Sequence, residues 1–436
     1  AMTVLTQSLR TRFVLYHPAM HAANDAIVDD TVRGDILPEP MAFDVSLIHN
    51  DVGALTLTYA KGSVGDSKLS DDLTTGVEIA LEIATTADPD TWVEPYNARF
   101  IGMKNDNDDT IGNMQVRKFT CPSYGILLSK ARNLNLEKLT DSDSGKGVRV
   151  FRNATAGEIF DAFMAENAGR AGILMSAESF SKESDSFGLP WDKQMTISYE
   201  LGIQFSQVMS NMADQGVLDW RTKGHQLILA VTDSAFGIDR ISAEGAGPTL
   251  YPGTDVLTGP STNSIENMAH HALVIGDDGL IFEKTNDTAS RPWGSWEVTL
   301  QQGGVSQKST AEMLLTNELA TDSRMTSQYT RAIRIDDVRY LPLVSYMVGD
   351  WIIAPTKRGT LEKVRVQQIT LSLDSSGILQ ASIVLNDRLL DADLRRAKRQ
   401  AGITNGVISG GATGGVPEPV DNTKMAQYTF TNADTV

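Results

Sequence analysis

Residues 346–389 read YMVGDWIIAPTKRGTLEKVRVQQITLSLDSSGILQASIVLNDRL, a stretch in which strand and turn signals follow one another closely. After a Gly-Asp turn, the apolar residues 351–353 predict a strand, and the basic sequence TKRG at 356–359 predicts the turn that ends it. Apolar residues alternate along the next strand as far as Val366 and then resume out of phase, so we expect a β-bulge at Gln367-Gln368. The stretch holds no nucleophile, metal cluster or phosphate-binding loop, which favours a building block over an enzyme.

The rest of the stretch predicts a hairpin and then a helix. The turn DSSG at 374–377 separates two alternating strands, and the second strand runs over 379–385. The following residues, 386–400, have acids at their start and bases at their end, as the helix dipole prefers. Together these elements predict a small barrel or sandwich that closes at about 330–398 and carries a helical plug.

The composition argues against nucleic-acid binding and against a membrane span. The chain has 436 residues, enough for about three domains, with ordinary hydrophobic (41%) and charged (21%) content. A net charge of −17 argues against a broad nucleic-acid-binding surface and suits a conduit that repels DNA. No apolar run spans a bilayer and no signal peptide is evident, so we expect synthesis and assembly in a cytoplasm. The single cysteine, Cys121, excludes an intrachain disulfide and is expected to be a small buried hydrophobe.

Changes of pattern along the chain predict a multidomain α+β, β-rich protein. The predicted segments are an N-terminal arm at 1–34, a first β-barrel-like domain at 35–146, an α+β domain at 147–240, a second β-rich region at 241–398 and a flexible Gly-rich tail at 399–436. In the first barrel we expect a hairpin over 41–60, an alternating strand at 76–85, a hairpin turning at NDNDDTIGN (105–113), a short helix at 122–134 and a linker at 140–147.

The α+β domain carries clear helix boundaries. Thr155 and Glu158 form a predicted capping box for its first helix. SYELGIQFSQVMSNMADQG predicts a second amphipathic helix that ends at Gly216. A hairpin follows and turns at Lys223-Gly224.

The second β-rich region alternates between strands and one helix. We expect a strand pair across GDDG at 276–279 and a strand within 291–305 that carries two tryptophans. The residues 309–322 predict a helix, capped by Ser309 with Glu312.

The candidate metal ligands each have a simpler explanation. His17 and His21 have the spacing of two ligands on one helix turn, but a proline intervenes and no nearby acid completes a zinc motif. His270 and His271 precede a strand, so their rings would point to opposite faces. The acidic run at 105–113 lacks the Gly and Glu positions of a calcium loop, and a solvated turn is the better interpretation.

We expect no catalytic, cofactor-binding or metal-binding residue. The sequence has no GxSxG, no Walker GxxxxGK[ST], and no GxGxxG after a strand. A glycosidase needs only two facing carboxylates. Asp219 beside Trp220 and Glu297 are the acids in the most aromatic settings, and both fit a sheet with one wet face. Trp293 and Trp296 are candidates for stacking on a sugar, but packing in a core or between domains is the simpler expectation.

The order of these patterns resembles the tail-hub, or baseplate-hub, family of minor tail proteins from long-tailed bacteriophages (siphophages). The resemblance covers roughly residues 35–398 and rests first on GDWI at 349–352 with KVRVQQI at 363–369. The next motif is VMSNMADQGVLDW at 208–220, a helix that ends in Gly and leads into a strand. Three further motifs occur in the order that the family has along its chain: NDVGALTL, WGSWE and ILQASIVLNDR.

The resemblance implies a homotrimer located in the virion, at the tail tip. Two barrel-like domains per chain, about 35–146 and one containing 330–398, would form a pseudo-sixfold ring that closes the tail tube. The implied partners are the distal tail protein or tube ring, the tape-measure protein and tip or receptor-binding proteins, with DNA passing through transiently. The family has no catalytic residues or cofactors to carry over, so the chain is expected not to be an enzyme.

Two other functions stay open on the sequence. A tail-associated glycan-binding protein or cell-wall hydrolase predicts a cleft with paired carboxylates or exposed tryptophans. A distal tail or tube adaptor predicts a hexamer, although 436 residues with four changes of pattern are long for a simple tube protein.

Overall fold

The fold is α+β and β-rich, as the sequence predicts. It is seen in a computed structural model that describes residues 6–386, except for 19, 22–26, 30, 70, 135–147, 171, 232–247, 258, 303, 358–359 and 375. The described residues form 22 strands in six sheets, together with four α-helices. The predicted linker at 140–147, the helix after Asn386 and the tail at 399–436 lie outside the described residues.

The strands are β1 (Leu9–His17), β2 (Met20–His21), β3 (Ile27–Asp29), β4 (Val32–Ile36), β5 (Ala42–Ile48), β6 (Ala54–Ala60), β7 (Glu78–Thr85), β8 (Arg99–Ile101), β9 (Lys104–Ile111), β10 (Met114–Pro122), β11 (Val148–Thr155), β12 (Gln194–Glu200), β13 (Leu218–Lys223), β14 (Gln226–Val231), β15 (Ser261–Ser264), β16 (His271–Ile275), β17 (Ile281–Thr285), β18 (Glu297–Gln301), β19 (Thr326–Ile333), β20 (Trp351–Pro355), β21 (Leu361–Leu373) and β22 (Leu379–Asn386). The α-helices are α1 (Val64–Lys68), α2 (Ala156–Ala168), α3 (Phe205–Asp214) and α4 (Lys308–Asp322).

A nine-stranded sheet contains strands from both ends of the described chain. Its order is β15-β19-β22-β21-β5-β6-β10-β9, and β20 also pairs with β21. The antiparallel pairing of β5 with β21 joins strands from the segments 35–146 and 330–398 in one sheet. Val45 and Leu371 are paired across this junction and both are fully buried in the same core. The division of these segments into two barrels stays a prediction.

The opening stretch folds as its pattern predicts. β21 changes register against β22 between Val366 and Gln368, which confirms the predicted bulge. The Nε2 atom of Gln367 donates a hydrogen bond to the carbonyl oxygen of Asn386 at 2.7 Å, and the Gln367 carbonyl accepts from the backbone N–H of His49 at 2.9 Å. The bulge therefore lets β21 contact both β22 and the end of β5.

A four-stranded sheet, β4-β1-β7-β8, packs against the same core. β7 is buried along its whole length, so it is covered on both faces rather than on one. Leu9, Phe13 and Leu15 of β1 are buried in this core. Part of the predicted arm at 1–34 is therefore a strand within the chain's own sheet.

The α+β unit has its own core around α2 and α3. Five of its aromatic rings contact one another: Phe151, Phe160, Phe163, Tyr199 and Phe205. The capping box of Thr155 and Glu158 is confirmed, and so is the hairpin β13–β14, whose turn lies at Gly224-His225, one residue later than predicted. The second helix begins only at Phe205, because its predicted first residues pair as β12 with β11 instead.

A third, smaller core lies between α4 and the sheet β17-β16-β18. The strand pair β16–β17 across GDDG is confirmed, and β18 joins β16 in parallel. α4 begins at Lys308 after Gln307 and has no side-chain cap, so the predicted cap by Ser309 with Glu312 is wrong.

Two predictions for the first barrel need correction. Most of the acidic run at 105–113 is the strand β9 rather than a turn, and β9 and β10 turn at Gly112-Asn113 instead. The polar residues are tolerated because β9 is the last strand of its sheet, where side chains reach solvent. The helix predicted at 122–134 is a short 3-10 helix over Tyr124–Ser129.

Candidate functional site

The first of the histidine pairs singled out from the sequence is divided between two strands. His17 lies in β1 and His21 in β2, so they are not on one helix turn. His271 faces two glutamates through opposite sides of its ring: Nε2 lies 3.3 Å from Glu283 and Nδ1 lies 3.8 Å from Glu297. Among the described residues, no three His, Cys, Asp or Glu side chains are arranged to hold a metal ion.

His270 is structural. It is fully buried, and both of its ring nitrogens form hydrogen bonds. The backbone N–H of Trp296 donates to Nδ1 at 3.1 Å, which places the ring proton on Nε2, and Nε2 donates to the carbonyl oxygen of Ser290 at 2.7 Å. The neutral ring therefore holds the loop before β18 in place.

The two tryptophans of this loop differ in exposure. Trp293 and Trp296 stack with ring centroids 6.2 Å apart and planes inclined by 18°. Trp293 is 80% exposed, so the expectation that it packs in a core is wrong within this chain. Glu297 is also exposed, at 76% of its side chain, and begins β18 beside the pair.

Asp219 lies in a buried polar cluster where β13 meets β5 and β21. Its Oδ1 accepts a hydrogen bond from Asn50 at 2.6 Å, and its Oδ2 accepts from Arg365 at 3.0 Å. The Nε2 atom of His49 lies 3.5 Å from Oδ1. Burial raises the pKa of Asp219, but these three neighbours outweigh it and hold the pKa well below its usual range. An ionised, engaged carboxylate does not suit a general acid.

A small cavity adjoins this cluster. Its volume is about 10 Å³, enough for roughly one water molecule, and His49, Tyr96 and Arg221 line it. The guanidinium of Arg221 lies 3.5 Å above the Tyr96 ring. Burial lowers the pKa of Arg221 to about 10 and also lowers the pKa of His49. The cavity is too small for a substrate and marks a packed junction between elements.

A second buried charge cluster ties β7 and β8 to the α+β unit. Glu78 Oε1 lies 2.5 Å from Arg99 Nη1 and 2.7 Å from His225 Nε2. Arg99 also pairs with Glu94 at 2.6 Å, and the His225 ring stacks on Tyr124 at 4.5 Å. Sequence reasoning missed this cluster because Glu78 and His225 are 147 positions apart and no motif links them.

A wider depression lies on α2 and β11. It measures about 440 Å³, a volume that suits a small ligand. Its acids already have partners within the chain, because Glu158 caps α2 and Glu166 pairs with Arg149 at 3.0 Å. It therefore offers no free pair of facing carboxylates from these two residues.

Cys121 is fully buried in the main core. Burial raises the pKa of its thiol to about 12, so the thiolate needed for nucleophilic attack is not formed at neutral pH. The prediction of a small buried hydrophobe is confirmed.

Among the described residues, no helix is both long enough and apolar enough to cross a membrane.

Comparison with known proteins identifies the fold. No family model matches the chain, and no curated protein matches it either. A tail protein from Neisseria meningitidis MC58 is similar in structure, with a TM-score of 0.51 and 11% identity over 88% of this chain and 97% of that one. Prophage tail protein gp18 from Listeria monocytogenes EGD-e (TM-score 0.48, 9% identity, 90% and 99% covered) and the 43 kDa tail protein of prophage MuSo2 from Shewanella oneidensis (0.46, 14%, 86% and 97%) are also similar. The chain therefore has the fold of the Neisseria tail protein.

Proposed function

We propose that the chain is a structural protein of a bacteriophage tail or of a related tail machine, and that it forms the hub at the tail tip. The observation that carries the proposal is the shared fold with the Neisseria tail protein, which covers 88% of this chain and 97% of the other. Coverage of both chains almost from end to end means that the likeness extends over the whole architecture, not over one common motif.

The buried charges support a non-catalytic role. Asp219 is satisfied by Asn50 and Arg365, and Glu78 is satisfied by Arg99 and a histidine, so both acids link elements of the fold. A catalytic carboxylate would instead face a cleft and the reacting atoms. These acids act as positioning groups for the framework.

The sheet edges support assembly with other chains. The nine-stranded sheet ends in β9 and β15, and the four-stranded sheet ends in β4. An edge strand presents unpaired backbone groups that a strand of a neighbouring chain can pair with.

We infer a homotrimeric ring that narrows the tube, contacts the distal tail or tube ring and the tape-measure protein, and carries tip or receptor-binding proteins. With a net charge of −17, an acidic lumen would let DNA pass without retaining it.

The test is the molar mass of the purified protein by light scattering, with negative-stain images of the same peak. We expect three times the chain mass of 47.3 kDa and a threefold ring with an open centre. A sixfold ring would favour a distal tail or tube adaptor. A monomer at every concentration that also degrades cell-wall material would favour the hydrolase.

A further inference from the structure

The loop between β17 and β18, residues 286–296, is closed at its base by His270; we name it the Trp293 loop. The carbonyl oxygen of His270 accepts from the backbone N–H of Asn286 at 2.8 Å. Its backbone N–H donates to the carbonyl oxygen of Trp296, also at 2.8 Å. With the two ring bonds to Ser290 and Trp296, one buried residue fixes the start, middle and end of the loop.

A second set of contacts rigidifies the loop from within. The guanidinium of Arg291 donates to the Asp287 carboxylate at 2.8 Å and to the Asn286 carbonyl oxygen at 2.8 Å. The Asn286 side chain accepts from the hydroxyl of Thr288 at 2.8 Å. The tip of the loop is therefore held in one conformation before any ligand arrives, which lowers the entropy cost of binding.

This rigid loop exposes a large indole in a strained backbone conformation. Trp293 has a φ of +62° and Gly294 a φ of +92°. Left-handed φ is unfavourable for a bulky side chain, and such strain concentrates at functional sites. One face of Trp293 stacks on Trp296, and its 80% exposure leaves the other face open to solvent. The framework thus maintains an exposed aromatic surface that folding alone does not need.

The surroundings of Trp293 favour a glycan over a protein surface. The other exposed residues of the loop, all of which is described, are polar or small: Asp287, Thr288, Ser290, Gly294 and Ser295. Protein interfaces set their aromatic anchors within an apolar core that excludes water, and no second exposed apolar side chain accompanies Trp293 in the loop. A pyranose ring has an apolar C–H face and a rim of hydroxyl groups, which matches an exposed indole in a loop whose other exposed residues include hydroxyls and a carboxylate.

We propose that the Trp293 loop is a glycan-binding site. The C–H face of a pyranose stacks on the open face of Trp293, and its hydroxyls hydrogen-bond to the polar loop residues and to the exposed carboxylate of Glu297. This binding goes beyond the proposed structural role in a tail, and neither inference depends on the other.

Isothermal titration calorimetry on the full chain tests the site with three hexasaccharides as probes: β-linked glucose, β-linked N-acetylglucosamine and α-linked mannose. We expect saturable binding of at least one probe. Trp293→Ala should weaken it by about tenfold or more, because the indole face that the sugar ring would cover is lost, and Trp293→Phe should bind with intermediate affinity. Ile281→Ala is the matched control, because Ile281 is an exposed apolar residue (67%) on the neighbouring strand β17. It should bind like the wild type.

Three results would overturn the glycan site. They are the absence of saturable binding with all three probes, equal affinity in Trp293→Ala, and a change in the molar mass of Trp293→Ala, which would assign the indole to a contact between copies. Misfolding is checked by the thermal midpoint, which we expect to be unchanged because Trp293 is 80% exposed. The proposed hub fails separately, on the symmetry of the wild-type particle.

Discussion

Asp219 shows what a buried charge does in this fold. Removing a carboxylate from water costs several kcal/mol, and an ion pair only partly returns that energy, so a buried pair is weak evidence for stability as such. The Asp219–Arg365 pair instead fixes the position of β13 relative to β21, through a contact of 3.0 Å between the two side chains. The hydrogen bond from Asn50 to Asp219 ties the end of β5 to the same point. The side chain of Asn50 also accepts a hydrogen bond from the backbone N–H of Trp220 at 2.8 Å, which is a second contact between β13 and the end of β5.

Asp219→Asn should lower the free energy of unfolding by about 3–5 kcal/mol at pH 7, because the Arg365 guanidinium loses its counter-charge in a site where only 11% of that side chain is exposed. The measurement is urea denaturation. The matched control is Asp35→Asn, which removes a surface pair with Lys68 and should change stability little.

The same variant should show a distinctive pH dependence. The pKa of Asp219 in the fold lies below its unfolded value of about 3.9, so its contribution is complete above that value and is lost as the pH falls through it toward the folded pKa. The stability difference between wild type and Asp219→Asn should therefore be greatest near neutral pH and shrink below about pH 4. A difference that stays constant over that range would contradict the assigned ion pair.

Among the elements, α2 and α4 show which helix caps a local sequence pattern predicts and which it does not. Thr155 and Glu158 stand directly before and within the first turn of α2, and each side chain satisfies the other's backbone N–H, at 3.1 and 2.8 Å. Ser309 and Glu312 repeat this spacing but lie inside α4. The hydroxyl of Thr310 accepts from a backbone N–H of β12 at 3.2 Å, a tertiary contact that the spacing does not encode.

This contrast gives a paired prediction. Thr155→Ala should cost about 1 kcal/mol of stability, since it leaves an N-terminal N–H of α2 without its partner. Ser309→Ala should cost much less, because the Ser309 side chain does not cap α4. Thermal or urea unfolding of both variants checks the difference, and equal losses would contradict the cap assignment.

Hairpins could be predicted because their turn residues and alternating strands are adjacent in the sequence, whereas the pairing of distant strands could not. The bulge at Gln367 and the hairpin β13–β14, with its turn to within one residue, follow from alternation and turn residues alone. The acidic strand β9 was missed because it contains few apolar residues and takes its place from β10. Trp293 was misjudged because aromatic residues are usually buried, and its exposure depends on a loop closed by His270.

On the scale of the whole molecule, the chain is organised by contacts between distant segments. The main core joins residues before Pro122 to residues after Pro248, and the α+β unit between them keeps a separate core. The hydrogen bond from Asn50 to Asp219 bridges 169 positions, and the β5–β21 pairing is longer still. Such pairings are chosen by packing and register across the finished sheet, which is why neither the charge clusters nor the shared sheet was visible in the sequence.

Separate cores predict separate local unfolding. Phe163 is fully buried and packs at 5.0 Å on Phe205 and at 5.5 Å on Phe151. Phe163→Ala should cost about 3–5 kcal/mol through loss of apolar burial and the cavity left behind. Because the α+β core shares few side chains with the main core, hydrogen–deuterium exchange read by mass spectrometry should accelerate in β11–β14 while β21 and β22 stay protected.

Phe119→Ala supplies the matched control, since Phe119 is equally buried but belongs to the main core. It should reverse the pattern, with faster exchange in β5, β6 and β21. The charge clusters at Asp219 and Glu78 work against this independence, because each links the α+β unit to a sheet of the main core. If they couple the two cores strongly, either substitution will accelerate exchange in both, and the chain will unfold as one unit. Exchange confined to one core would instead show that the clusters align two separately stable bodies.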